Sequence, residues 1–98
     1  MDIARAWKGL ALLVAEDYEQ AIFVLQEVSG LNYLKNLFLS ACYAALGDEQ
    51  QARGAISYVL QAVPNLRVND LGFCKNFRDA EVRDRVIQTY RRAGLPLN

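Results

Sequence analysis

A chain of 98 residues, 53% of them hydrophobic and 22% charged, has the size and balance of one folded domain, which excludes a disordered tail. Eleven basic and eleven acidic side chains cancel at neutral pH, so no overall field draws the chain to nucleic acid or to an anionic membrane. The apolar opening is broken by Asp2, Arg5, Lys8, Glu16 and Asp17, which fits neither a signal peptide nor a membrane span, and a cytoplasmic location is expected.

Ile3, Trp7, Leu10 and Val14 recur at helical spacing with Leu13 beside them, which predicts a first helix over Ile3–Val14 with Arg5, Lys8 and Leu12 on its other faces. The pattern stops at Glu16. Asp17 then stands where an N-cap belongs, its carboxylate placed for the unpaired N–H groups of a second helix and Gln20 placed to reach back. That helix carries Ala21, Ile22, Val24, Leu25 and Val28 and ends near Ser29 and Gly30. A third helix, Asn32 to Leu46, is apolar nearly all round and leaves only Lys35, Asn36 and Ser40 for water, so it must be covered on several sides.

Gly47 ends the third helix and Asp48 caps a fourth, whose stripe of Ala52, Ala55, Ile56, Val59, Leu60 and Val63 runs until Pro64 stops it. Leu66 to Phe77 reads as a loop around a short helical turn at Val68 to Cys74. Asp79 caps a last helix through Val82, Val86, Ile87, Tyr90 and Ala93, with Gly94 and Pro96 as its stop. No alternating strand pattern with turn chemistry occurs, and the expected fold class is all-α. Cys42 and Cys74 lie among apolar neighbours far apart in sequence, as reduced buried thiols do.

Self-similarity organises the chain. Asp17-Tyr18-Glu19-Gln20-Ala21 and Asp48-Glu49-Gln50-Gln51-Ala52 share Asp-x-x-Gln-Ala at an offset of 31 residues, close to the period of helix-turn-helix solenoids. Each unit is then one helix pair, the small alanine letting its partner approach closely. The second unit resembles the tetratricopeptide repeat in Tyr43, the Leu46-Gly47-Asp48 turn, Ala52, Ile56 and the closing Pro64. The first unit matches at Gly9, Leu12, Asp17, Tyr18, Ala21, Leu25 and Val28. It departs at Lys8, where the family prefers leucine, and in lacking a closing proline. The ending Phe77-Arg78-Asp79 through Ala93-Gly94-Leu95-Pro96 is similar to the close of repeat segments in bacterial adenylate-cyclase-like and winged-helix regulatory proteins. A single domain is expected, with repeat one at 1–31, repeat two at 32–66, and a short helix plus capping helix at 67–98.

The resemblance implies a non-catalytic scaffold that binds proteins or peptides, as part of a larger bacterial signalling protein. In that family the first helix of each pair lines a concave groove, and the matching positions are Ala6, Leu10, Leu13 and Val14, then Leu34, Leu37, Ala41, Ala44 and Ala45. Such a groove suits an apolar peptide or helix, or the chain's own last helix packing back. The stripe Ile3, Trp7 and Leu10 has no preceding unit to cover it; upstream sequence or another subunit would do so, and self-association as a homodimer is expected. With no histidine in the chain, Ser-His and Cys-His pairs and the usual metal-ligand sets cannot be built, and no enzyme activity, cofactor or metal is expected. The pairs Glu16-Asp17 and Asp48-Glu49 read as helix caps, and the scattered tyrosines Tyr18, Tyr33, Tyr43, Tyr58 and Tyr90 as packing.

Charge supports one alternative. Through Leu66 the acids outnumber the bases, whereas from Arg67 onward seven bases face four acids. A nucleic-acid binder of helix-turn-helix type, using Arg83, Arg85, Arg91 and Arg92, is the competing reading.

Overall fold

A computed structural model describes residues 3–71 and 78–97. Five α-helices and one 3-10 turn form within them, and no strand does among the described residues, so the fold is all-α. Helices α1 (Ile3–Val14) and α2 (Tyr18–Gln26) make one hairpin; α3 (Asn32–Ala45) and α4 (Glu49–Ala62) make a second; the 3-10 turn Val68–Asp70 and α5 (Ala80–Ala93) follow.

The repeated motif corresponds to one turn built twice. At the end of α1 the Glu16 amide donates to the Leu13 carbonyl (3.1 Å) and the Asp17 amide to Leu12 (2.9 Å); at the end of α3 Gly47 donates to Ala44 (3.1 Å) and Asp48 to Tyr43 (2.9 Å). Both are the paired bonds that close a helix through a left-handed residue. The aspartate carbonyl then starts the next helix, accepting from Ala21 (2.9 Å) in one turn and from Ala52 (3.0 Å) in the other. A third copy of the ending closes α5, where Gly94 donates to Arg91 and Leu95 to Tyr90.

The caps differ where the motif does not. Asp48 accepts from the Gln51 amide, and Asp79 from Glu81 and Val82. Asp17 holds the N-cap position of α2, but its side chain makes no capping bond, which corrects that part of the expectation. Helix α2 also stops at Gln26, short of Ser29, although Val28 still packs into the core. Val63 is exposed past the end of α4 and not part of its buried stripe. The turn at Val68 spans three residues; Cys74, placed in it by sequence, lies outside the described residues.

Helix α3 is the centre, packed against all four other helices. Its buried residues run without a gap from Leu37 to Cys42 and include Ser40, which was expected to face water. Burial is tolerated because the Ser40 hydroxyl donates to the Leu37 carbonyl at 2.7 Å. Leu13, Leu25, Val59 and Tyr90 of the other helices join Phe38 of α3 in one core, the buried leucine, valine and phenylalanine side chains each contributing about 1.5–3 kcal/mol by leaving water. The end of the chain is tied back: the Val68 amide donates to Pro96 (2.8 Å) and Asn69 to Leu97 (3.1 Å), with Leu95 buried between.

Candidate functional site

The groove positions are filled. Ala6, Leu10, Leu13, Leu37, Ala41 and Ala44 are all buried, and only Val14, Leu34 and Ala45 are half-buried. They are core positions here and offer no open groove. Part of the reason is α5, which lies on α3 and, less extensively, on α4. The chain's own last helix therefore takes up α3 surface that a ligand could otherwise use.

The exposed apolar surface is on the outer side of α1. Ile3 and Trp7 are 49% and 47% exposed, whereas Leu10, grouped with them by spacing, is a core residue at 8%. A helix turns 100° per residue, so Ile3, Ala4, Trp7 and Ala11 share one arc, and all of them are exposed. No charge interrupts that arc: Lys8 stands at its edge, and Arg5 points away to donate to the Glu27 carbonyl at 3.2 Å. Trp7 is held in place by the buried Phe38 of α3, ring centroids 5.9 Å apart and planes tilted by 51°. One side of the indole is thus supported by an aromatic neighbour while much of the ring still faces solvent.

Periodicity of large residues does not single out Ala4 or Ala11; the signal for them is the lack of charge along that arc. Among the other large exposed side chains, Tyr58 has the uncharged Gly54, Ala55, Gln61 and Ala62 one turn away, whereas Phe23 lacks such surroundings. Phe23, 58% exposed on α2, has Glu19, Gln20, Gln26 and Glu27 one turn away on either side.

The four arginines of the nucleic-acid reading have different settings. Arg83 lies 3.8 Å from Asp84, and Arg85 pairs with Glu16 at 3.6 Å while donating to the Val14 carbonyl. Arg91 and Arg92 are exposed in the last turn of α5, where positive charge offsets the helix dipole. Tyr18 sits close by: burial, then the Glu16 carboxylate, raises its hydroxyl above the ordinary tyrosine value, and Arg85 pulls the other way. Cys42 is buried and unpaired with another cysteine, and burial pushes its thiol up to about 12.

Among the described residues no surface pocket opens and no cluster of three metal-ligating side chains forms. No helix among them is long and apolar enough to cross a membrane. Comparison with protein-family models, with curated proteins and with solved structures gave no match.

Proposed function

We propose that the chain is a non-catalytic protein-interaction module built from tetratricopeptide-like hairpins, with the outer face of α1 as its contact surface. One observation carries this reading: the half-exposed Trp7, backed by Phe38, at the middle of an arc formed by Ile3, Ala4 and Ala11 that holds no charge. A large indole between small alanines is a knob beside shallow holes, the relief that helix-on-helix packing uses. The same relief on a second copy is complementary to it, so a two-fold dimer through α1 is the simplest assembly. Binding there comes from apolar burial at about 25 cal/mol per Å², less the cost of association. The likeness of the tail to the close of bacterial regulatory proteins supports a cytoplasmic signalling setting for such a module.

An uncharged face makes association nearly indifferent to salt, whereas nucleic-acid binding through Arg91 and Arg92 would weaken steeply as salt rises. Light scattering on the wild-type chain and on Trp7→Glu tests the reading. The wild type is expected to exceed the 11.0 kDa of one chain as concentration rises, and the variant to stay at it with its helicity unchanged. A wild-type chain that remains at 11.0 kDa at high concentration overturns the assignment of this face to self-association.

A further inference from the structure

The two hairpin turns share their hydrogen bonds but differ in the residue that carries the left-handed conformation. In the second turn it is Gly47, with φ 81°, where the lack of a Cβ makes the conformation free of steric cost. In the first it is Glu16, with φ 65°, a value that a residue with a Cβ adopts only against steric resistance. Local strain of this kind persists where the surroundings hold it in place. Here the Glu16 carboxylate lies 3.6 Å from the Arg85 guanidinium of α5. A second nitrogen of that guanidinium donates to the Val14 carbonyl, one of those a helix end leaves without a partner. The two residues stand 71 positions apart, so this contact joins the last helix to the first hairpin.

The opposite end of α5 is held differently. Ala93 packs with Ala44 and Ala52 at the second hairpin, and Gly94 lies beside Ile56. Helix α5 therefore reaches from one turn to the other, pinned by charge at the first and by apolar contact at the second. Its buried side chains are Val86, Thr89, Tyr90 and Ala93, while Glu81, Asp84, Gln88, Arg91 and Arg92 face solvent. That is the pattern of an amphipathic helix whose apolar side packs into the core lined by the two hairpins.

We propose that the face beneath α5 is a helix-binding site occupied in cis, and that the contact of Arg85 with Glu16 and Val14 is the latch that keeps it closed. The partner that fits is an amphipathic helix of the same pattern, apolar at the places of Val86, Tyr90 and Ala93, with an arginine one residue ahead of the first. Such a helix gains access in proportion to the fraction of molecules in which α5 has lifted, and the latch sets that fraction. This site is distinct from the outer face of α1, and neither depends on the other.

The test uses the full chain as wild type and as Arg85→Ala, with a fluorescein-labelled synthetic peptide of residues 79–97 as probe. Breaking a charge-assisted contact is expected to speed amide exchange in α5 by about tenfold or more relative to α4, and to tighten peptide binding by about the same factor. A peptide that itself carries Arg85→Ala loses that gain, because it cannot remake the latch with Glu16. The charge-reversed pair Glu16→Arg with Arg85→Glu restores only part of the protection of α5, because a carboxylate at residue 85 remakes the ion pair but cannot donate to the Val14 carbonyl. Should Arg85→Ala fold poorly, Glu16→Gly removes the ion pair while relieving the backbone, and is expected to speed exchange in α5 by a smaller factor without tightening peptide binding, because the arginine of the peptide then has no Glu16 to meet. Equal acceleration of α4 and α5 in both variants, or peptide binding no tighter to a folded Arg85→Ala chain than to the wild type, overturns the proposal.

Discussion

Gly9 of α1 lies so close to Leu25 of α2 that a Cβ at residue 9 would stand 2.5 Å from the Leu25 Cδ2 atom and 2.6 Å from its Cγ. Leu25 is fully buried in the core and has no space into which to retreat. Alanine normally favours a helix over glycine by about 1 kcal/mol, yet overlap in a packed core costs about 1–3 kcal/mol. Gly9→Ala is therefore expected to destabilise the chain, read as a lower urea midpoint. A variant more stable than the wild type would contradict the close packing of the first hairpin.

The three aspartates that precede helices are expected to differ in value. Asp48→Ala and Asp79→Ala each remove a side-chain acceptor from a helix start and should cost about 0.5–2 kcal/mol. Asp17→Ala removes none, and should cost less than either in the same denaturant titration. Equal losses at all three positions would count against the cap geometry described for α2.

Alkaline pH should weaken the fold through Cys42. Burial pushes its folded thiol up to about 12 from the ordinary value of 9.0, so between those values the unfolded chain releases a proton that the folded chain retains. The stabilising difference is complete below pH 9 and is lost as pH rises toward 12, at up to about 1.4 kcal/mol per pH unit. The raised hydroxyls of Tyr18 and Tyr33 act in the same direction at higher pH. Urea unfolding at pH 8, 9 and 10 is expected to show a steeper decline for the wild type than for Cys42→Ala; parallel declines would mean that Cys42 is not sealed from water.

Local chemistry made much of this fold legible. The stripe in α1, the two glycine stops at Gly47 and Gly94 and the caps Asp48 and Asp79 each act within a turn or two, and helix bounds follow from them. The central place of α3 could be read from its nearly uninterrupted apolar surface. The exposed apolar face of α1 was only half legible. Ile3, Trp7 and Leu10 form one stripe on a helical wheel, but the packing of α1 against α2 and α3 divides it, taking Leu10 inward and leaving Ile3 and Trp7 at the margin. The filling of the groove was legible only as one of two alternatives, the last helix packing back, and the role of Glu16 was not legible, because both depend on where α5 docks, and its link to Val14 spans 71 positions.

Trp7 is the one tryptophan of the chain and stands in the middle of the proposed contact face, so its emission reports on that face alone. Emission recorded against protein concentration, alongside light scattering, tests the account most directly. A shift to shorter wavelength that tracks the rise in mass, and that is unchanged by added salt, is the predicted result. Emission that stays constant while the mass rises would place the contact elsewhere and contradict the assignment of α1.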